Sequence, residues 1–216
     1  MVLEALRGRV LGCALEAYRQ GLMTMTSGNF SGRDPASGLV AITPSGRPYA
    51  GLRVEDVVVV DRDGALVEGR SRPSSETALH LGVYAARADL HGIAHVHSVY
   101  ANAAGTLGLS VPPIVGTLWK YVGGELRTAP FRESGTAEYA AHALRVMGEQ
   151  RAVIMANHGL LAVGETVEEA LEVAAYAEEG SRVYILARAL GEPGRHPKPN
   201  PGAMYAPAWW SDAERG

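Results

Sequence analysis

Helix-type and strand-type hydrophobic patterns alternate along the chain from about residue 3 to residue 190 with no linker between them. Helical spacing covers residues 3–17, 78–86, 101–107, 135–147 and 166–190, and β-type pieces cover residues 38–43, 56–61, 65–68, 93–98, 152–156 and 160–163. Because no internal repeat or break divides this order, it predicts one α/β domain over residues 1–190 with a mixed, mostly antiparallel sheet.

The last 26 residues have a different composition. Residues 191–216 are rich in proline and glycine, which disfavour both helix and strand. We therefore predict an extended C-terminal tail outside the domain.

Charge and hydropathy exclude two classes of partner. The 20 Lys and Arg residues against 23 Asp and Glu residues give a net charge of −3 with no basic run, which argues against nucleic acid as a partner. No apolar run reaches the roughly 18 residues of a membrane helix. Glu4 and Arg7 interrupt the apolar pattern of the first ten residues, so we predict an amphipathic helix there, no secretory leader, and a cytoplasmic protein.

The chain offers few reactive sulfur and amine groups. Cys13 is its single cysteine, so an intramolecular disulfide and a multi-thiolate zinc site are excluded. Lys120 and Lys198 are its two lysines, which leaves Schiff-base chemistry few carriers. Any bound metal must therefore be held by nitrogen and oxygen ligands.

Three histidines and one glutamate form a candidate metal site. His95 and His97 are alternate residues of the predicted strand over 93–98, so their side chains share one face. His158 lies in a turn after another strand-type run, and Glu76 lies in the first turn of a predicted helix. This set suits zinc, with the carboxylate able to bind the metal or to take a proton. Taken separately, the histidine pair also fits two half-buried residues and Glu76 fits a helix-start acid.

Three loops, at residues 27–31, 43–46 and 73–75, are suited to binding an anion. They offer unobstructed backbone N–H groups, hydroxyls and an amide, and the third loop opens a helix. Each loop alone also fits an ordinary turn, and none matches a nucleotide-binding glycine motif. The candidate phosphate-binding residues are Gly28, Asn29, Ser45, Gly46, Ser74 and Ser75.

Five motifs in order resemble the class II aldolase and adducin-head family. They are Ser27-Gly28-Asn29-x-Ser31, Ile42-Thr43-Pro44-Ser45-Gly46, Pro73-Ser74-Ser75-Glu76 with His80, His95-Val96-His97-Ser98 and Asn157-His158-Gly159. The likeness extends from about residue 3 to residue 190. Within the family it is closest to the branch that cleaves L-fuculose 1-phosphate.

The resemblance implies a three-layer α/β/α fold, a homotetramer with active sites between subunits, and one Zn²⁺ ion per subunit. His95, His97, His158 and Glu76 match the family's metal ligands, and Glu76 also matches its acid and base. The loops named above match its phosphate site. The implied reaction is the reversible cleavage of a ketose 1-phosphate, such as L-fuculose 1-phosphate, to dihydroxyacetone phosphate and an aldehyde. Zn²⁺, Mn²⁺ and Co²⁺ all accept such ligands.

The chain departs from the family at one catalytic position. In the family, a tyrosine from a neighbouring subunit donates a proton to the leaving aldehyde oxygen. Counting back from the Gly123-Gly124 pair, the matching position holds Thr117, a poor proton donor. We assign the catalytic acid to Tyr121, four residues on, although a packed aromatic ring explains Tyr121 equally well. Tyr205 matches a C-terminal tyrosine that closes the family's site.

Three other activities fit the same resemblance. A ribulose-5-phosphate 4-epimerase or a methylthioribulose-1-phosphate dehydratase would use the same metal chemistry. The epimerase branch has an Asp-containing loop that is absent from residues 115–124. A non-catalytic interaction module like the adducin head would not need the three histidines.

Overall fold

The structure is a computed structural model that describes residues 1–134 and 136–199. Within these residues there are five α-helices: α1 Glu4–Arg19, α2 Thr77–Ala86, α3 Val99–Thr106, α4 Ala137–Met147 and α5 Val167–Leu190. The same residues form eight strands: β1 Asn29–Arg33, β2 Val40–Ile42, β3 Val58–Val60, β4 Leu66–Glu68, β5 Gly92–Val96, β6 Arg127–Ala129, β7 Ala152–Met155 and β8 Gly159–Gly164. A 3₁₀ turn at Val54–Asp56 and a π-helical turn at Leu118–Val122 complete the described elements.

All eight strands form one sheet in the order β4-β3-β2-β1-β5-β8-β7-β6. The β6–β7 pair is parallel and the other pairs are antiparallel, which confirms the predicted mixed, mostly antiparallel sheet. Strand β5 lies between β1 and β8, and its register places His95 opposite Asn29 on one side and Leu161 on the other. The sheet thus brings distant parts of the sequence to the two neighbours of one histidine.

Each face of the sheet covers its own hydrophobic core. One core joins the sheet to α1, α3 and α5, and the other joins it to α2 and α4, which gives three layers. Along β5 the alternation is direct, because Ala94 and Val96 belong to the first core and Ile93 belongs to the second. The α/β/α architecture implied by the resemblance is therefore confirmed.

Two strands were not predicted as strands. Residues 29–31 were interpreted as part of a loop, but they lie in β1, where polar Asn29 and Ser31 are buried and interrupt the hydrophobic alternation. Strand β6 is three residues long and its first residue, Arg127, is exposed. Neither segment has the run of β-branched or aromatic residues by which a strand is recognised.

Two element boundaries near the candidate site differ from the sequence prediction. The loop that holds Ser74 and Ser75 is predicted to open helix α2, but the helix begins at Thr77 because the Ser74 Oγ accepts the backbone N–H of Glu76 at 3.2 Å and forms a turn. Glu76 takes the N-cap position without capping the helix, so its carboxylate is available elsewhere. Strand β5 ends at Val96, which leaves His97 just beyond the strand.

The described part of the tail lies against the π-helical turn. Residues 192–199 form neither helix nor strand. The backbone N–H of His196 donates to the Pro113 carbonyl at 2.9 Å, and the Trp119 indole N–H donates to the His196 carbonyl at 3.3 Å. Tyr205, predicted to close the site, lies outside the described residues.

Among residues 1–134 and 136–199, no helix is both long enough and apolar enough to cross a membrane.

Candidate active site

Four side chains from four separate elements converge at one end of the central strands. They come from the N-cap of α2, from β5, from the residue that follows β5, and from the turn between β7 and β8. One ligand atom from each of these residues lies within 4.8 Å of the others. The four residues, called the His/Glu cluster below, are Glu76, His95, His97 and His158, the set that the sequence predicted.

The backbone of the β7–β8 turn explains how His158 reaches the cluster. Asn157 adopts a left-handed conformation with φ of 58°, which reverses the chain just before His158. Gly159 follows, and a Cβ atom there would stand 2.7 Å from both the His95 Cε1 and the Val96 carbonyl oxygen. Only glycine permits β8 to approach the imidazoles this closely.

The hydrogen bond behind His95 fixes its tautomer. The Nδ1 atom of His95 lies 3.1 Å from the Leu160 carbonyl oxygen, which can only accept, so Nδ1 carries the proton. In neutral His95 the Nε2 lone pair then faces the cluster, 3.0 Å from the His97 Nε2 and 2.9 Å from the Glu76 Oε2. Electron pairs this close repel unless a positive charge lies between them.

The electrostatics of the cluster fit a divalent cation. Burial and the neighbouring His95 and His158 lower the pKa of His97 to about 4, and burial also lowers the pKa of His158, so both are neutral at pH 7. Burial favours the protonated acid of Glu76, but the adjacent His95 ring and a hydrogen bond from Asn29 outweigh it and hold the pKa of Glu76 well below its ordinary value. The Glu76 Oε1 atom is buried, accepts no hydrogen bond in the described chain and lies 3.3 Å from the His158 Nε2. Neutral imidazoles beside an unpartnered carboxylate oxygen can hold a metal ion.

Tyr139, on α4, supports His158 from behind. Its side chain is buried, its hydroxyl is hydrogen-bonded to the His158 Nδ1, and the two rings stack with centroids 5.7 Å apart. Burial and the nearby Glu76 carboxylate raise the pKa of Tyr139, so the hydroxyl keeps its proton. The sequence analysis missed this residue, because a tyrosine on the apolar side of a helix reads as an ordinary core residue.

The predicted anion-binding loops and the His/Glu cluster line the same cleft. Its volume is about 230 Å³, and its lining includes all six candidate phosphate-binding residues together with Glu76, His97 and His158. Within the described chain, the backbone N–H groups of Gly46 and Ser75 have no protein acceptor, whereas those of Ser45 and Ser74 donate to the Arg72 and Thr43 carbonyls. The cleft therefore retains donors that can face an anion.

Among the six candidate phosphate-binding residues, Asn29 has a side chain that is already hydrogen-bonded within the site. It was assigned to a phosphate, but its Nδ2 atom donates to the Glu76 Oε2 at 3.0 Å and its Oδ1 atom lies 2.6 Å from the His80 Nε2. One amide proton of Asn29 is thus already used by the carboxylate, and one remains for the cleft.

Tyr121 lies elsewhere in the chain. Its ring stacks on Tyr176 of α5, with centroids 3.9 Å apart and planes at 13°, and it is not among the described residues that line the cleft. Thr117, at the position of the family's tyrosine, has a buried hydroxyl without a partner in the described chain. The catalytic role of Tyr121 therefore stays a prediction that needs a second copy of the chain.

The fold and the cluster together define an aldolase-type α/β domain with a candidate metal site. The sequence profile described as Class II Aldolase and Adducin N-terminal domain matches residues 9–185. The chain belongs to this family.

Several proteins are similar to this chain over most of its length. It is 37% identical over 193 residues to a 5-deoxy-D-ribulose 1-phosphate aldolase of Bacillus thuringiensis serovar kurstaki, covering 89% of this chain and 90% of that protein. It is 35% identical over 206 residues to an L-ribulose-5-phosphate 4-epimerase of Salmonella paratyphi A, covering 90% of each chain. Among solved structures, an L-fuculose 1-phosphate aldolase superposes with a TM-score of 0.86 at 33% identity, covering 91% of this chain and 92% of that one.

Proposed function

We propose that this chain is a zinc-dependent aldolase that reversibly cleaves a short deoxyketose 1-phosphate to dihydroxyacetone phosphate and an aldehyde. The observation that carries the proposal is the single cleft shared by the anion-binding loops and the His/Glu cluster. A substrate with a phosphate at C1 and a carbonyl at C2 would place its phosphate at the loops and its carbonyl beside the cluster.

The phosphate end of the cleft would act without lysine. The proposed donors are the backbone N–H groups of Gly46 and Ser75, the hydroxyls of the three loops, the remaining Asn29 amide proton, and the positive end of the α2 dipole. Gly28 allows its loop to pack closely against β5, because a Cβ atom at this position would stand 2.7 Å from the His95 carbonyl oxygen. Oriented dipoles of this kind bind a phosphate dianion effectively in a site shielded from water.

His95, His97, His158 and Glu76 would hold the zinc ion. Bound there, the metal supplies polarisation of the substrate carbonyl. The three imidazoles present nitrogen from fixed rings, since the Leu160 carbonyl orients His95 and the Tyr139 hydroxyl orients His158.

Glu76 would move the proton at C3. In the cleavage direction the C4 hydroxyl loses its proton, the C4–O bond becomes a carbonyl, and the C3–C4 bond breaks with its electron pair left on C3. The Glu76 carboxylate takes up one proton from solvent, which replaces the proton lost from the C4 hydroxyl, and delivers it to C3 to complete dihydroxyacetone phosphate. The reverse reaction begins with removal of that proton from C3. The Oε1 atom of Glu76, which accepts no hydrogen bond in the described chain, is the oxygen suited to this transfer.

A second copy of the chain would complete the site. Tyr121 does not line the cleft of its own chain, so we assign it to the cleft of a neighbouring copy in a homotetramer, where it would exchange the proton of the C4 hydroxyl.

The relatives support a deoxyketose 1-phosphate as the substrate class. The Bacillus relative is named for 5-deoxy-D-ribulose 1-phosphate and the structural neighbour for L-fuculose 1-phosphate. Both sugars carry a phosphate at C1 and a carbonyl at C2, and they differ in the aldehyde half beyond C3. Cleavage of the first yields acetaldehyde, and cleavage of the second yields lactaldehyde.

The direct test is product analysis with both sugar phosphates. The zinc-loaded protein is expected to release equal amounts of dihydroxyacetone phosphate and aldehyde, and chelation should abolish release. Ser75→Ala should raise KM for the phosphorylated ketose more than for its unphosphorylated analogue, since a hydrogen bond to a charged group contributes about 1.5–3 kcal/mol. The proposal would be overturned if neither sugar phosphate is cleaved and if no aldehyde tested reacts with dihydroxyacetone phosphate in the reverse direction.

The sequence similarity to the Salmonella relative makes a 4-epimerase the second candidate. An epimerase would keep all five carbons of L-ribulose 5-phosphate and invert C4. The absence of aspartate from residues 115–124 favours the aldolase. Conversion of this sugar to its C4 epimer, with no free aldehyde, would decide for the epimerase.

A further inference from the structure

A buried chain of hydrogen bonds leads from the interior of the domain to Glu76. The Tyr84 hydroxyl lies 2.8 Å from the Ser31 Oγ, which lies 2.6 Å from the His80 Nδ1. The His80 Nε2 lies 2.6 Å from the Asn29 Oδ1, and the Asn29 Nδ2 lies 3.0 Å from the Glu76 Oε2. None of these five residues is more than 7% exposed, and His80 and Ser31 are fully buried.

The orientation of the Asn29 amide and the neutral His80 ring fix the direction of each bond in this chain. The Asn29 NH₂ group donates to the Glu76 Oε2, and the Asn29 carbonyl oxygen faces the His80 Nε2. The His80 Nε2 must then carry a proton. Burial lowers the pKa of His80 to about 3, so the ring is neutral and its Nδ1 must accept from Ser31. Ser31 in turn accepts from the Tyr84 hydroxyl.

The arrangement leaves the Asn29 amide with one orientation. In the flipped amide, the carbonyl oxygen would face the Glu76 carboxylate, which is a repulsive contact between two buried acceptors. The NH₂ group would face the His80 Nε2, which could accept only if the His80 proton moved to Nδ1. The observed orientation also leaves the second Asn29 proton available to the cleft that Asn29 lines.

The two oxygens of Glu76 are thereby made unequal. Oε2 is held by a hydrogen bond from Asn29, whereas Oε1 accepts no hydrogen bond in the described chain and lies 3.3 Å from the His158 Nε2. A carboxylate held at one oxygen keeps a fixed direction for the other, which a proton transfer to carbon requires.

We propose that His80 is a positioning residue that orients the Asn29 amide and, through it, the Glu76 carboxylate. The kinetic consequence rests on the proposed role of Glu76 in moving a proton. The direction of the hydrogen bonds does not depend on that role. Two measurements therefore separate the failure of one claim from the failure of the other.

The first measurement is ¹⁵N NMR of the protein labelled at histidine, with the His80 signals assigned from the His80→Gln spectrum. Between pH 6 and 8, His80 should show a protonated Nε2 and an unprotonated Nδ1, and Tyr84→Phe should shift the Nδ1 signal. A protonated Nδ1 would overturn the proposal, whatever reaction the protein catalyses.

The second measurement compares His80→Leu with His80→Gln in the zinc-loaded protein. Leu fills the space but removes the donor to Asn29, so kcat should fall by about 10- to 100-fold, with bound zinc retained and KM changed far less. Gln restores an N–H donor and should recover most of the lost kcat. His142→Leu, on the surface-facing side of α4, is the control for a His-to-Leu change.

Two outcomes would contradict this positioning role. One is a normal kcat per bound zinc in His80→Leu, and the other is an equal kcat loss in His80→Gln and His80→Leu. If His80→Leu does not fold, Tyr84→Phe and Ser31→Ala remove only a hydroxyl from the far links and should still lower kcat. An unchanged kcat in both would reject the proposal.

Discussion

Two of the three imidazoles of the cluster are supported from behind, and by different kinds of group. A backbone carbonyl, that of Leu160, accepts the Nδ1 proton of His95, whereas a side-chain hydroxyl, that of Tyr139, contacts the Nδ1 of His158. A carbonyl cannot be removed by substitution, but a hydroxyl can. Tyr139 is therefore the residue through which the support of a single ligand can be tested.

Tyr139→Phe should weaken zinc binding by about 10- to 100-fold while the fold is kept, because the ring remains in the core and only the partner of His158 is lost. Competition with a chelator of known affinity measures the change. Tyr184→Phe removes a hydroxyl on α5 whose partner is Arg188 and serves as the control. Equal zinc affinity in Tyr139→Phe and wild type would show that His158 needs no such support.

At this scale the sequence predicted the His/Glu cluster but not its supporting residues. Histidines two apart near a strand and a histidine before glycine in a turn are recognisable from the residue types alone. Tyr139 and the orientation of Asn29 are not, since each depends on a neighbour brought close only by folding. The same holds for Tyr121, whose contact with Tyr176 no spacing indicates.

Helix α3 begins two residues after His97, and a side chain from another helix holds its first turn. The two carboxylate oxygens of Glu178, on α5, accept the backbone N–H groups of Tyr100 and Ala101, each at 2.9 Å. These N–H groups have no partner within their own helix. Glu178 thus acts as a helix cap supplied by a distant part of the sequence.

Glu178→Ala should lower the free energy of unfolding by about 0.5–2 kcal/mol, the usual effect of losing an N-terminal cap. Glu179→Ala, an exposed neighbour on the same helix, should change it little. Urea unfolding monitored by circular dichroism measures both. A Glu178 variant as stable as the Glu179 variant would mean that water replaces this cap at no cost.

The turn between β7 and β8 depends on Gly159. Gly159→Ala places a Cβ atom 3.0 Å or less from His95, the Val96 carbonyl and His97, so β8 must shift and zinc binding should be largely lost. Zinc content after gel filtration tests this prediction, and a normal zinc content in Gly159→Ala would refute it.

Gly12→Ala is the matched control on α1, where a Cβ atom meets nothing within 4 Å. This change should raise helix stability by about 0.5–1 kcal/mol and leave the zinc content unchanged.

Most elements could be predicted from their periodicity, and the exceptions have a physical cause. The long helices α1, α4 and α5 and the apolar strands β7 and β8 carry strong patterns. Strand β1 does not, because Asn29 and Ser31 face the candidate site and the buried hydrogen bonds behind it. A strand whose inward side chains serve a site lacks the hydrophobic alternation that would reveal it.

For the whole molecule, the cluster joins elements from three parts of the chain. Its residues come from α2, from β5 with the segment after it, and from the β7–β8 turn. A ligand bound only by the folded state stabilises that state, by about 2.7 kcal/mol at a hundredfold excess over Kd. The α/β class itself was predictable, because the order of elements alone restricts the layers that they can form.

Zinc should therefore raise the melting temperature by about 5 to 10 °C at that excess, given about 2–4 °C per kcal/mol for a chain of this size. Thermal unfolding with and without zinc, monitored by circular dichroism, is the measurement. His97→Ala should show almost no shift. A zinc-dependent increase of the same size in His97→Ala would place the metal outside the His/Glu cluster.

The central claim is that Glu76 moves a proton at carbon beside a metal held by the histidines. Deuterium exchange at C3 of dihydroxyacetone phosphate, followed by NMR without any aldehyde, tests it most directly because it isolates the proton transfer from the carbon–carbon bond. We predict exchange by the zinc-loaded wild type, none after chelation, and a rate lower by about 10² to 10⁴ in Glu76→Gln with zinc retained. Exchange at the wild-type rate in Glu76→Gln, or in the chelated protein, would contradict the account.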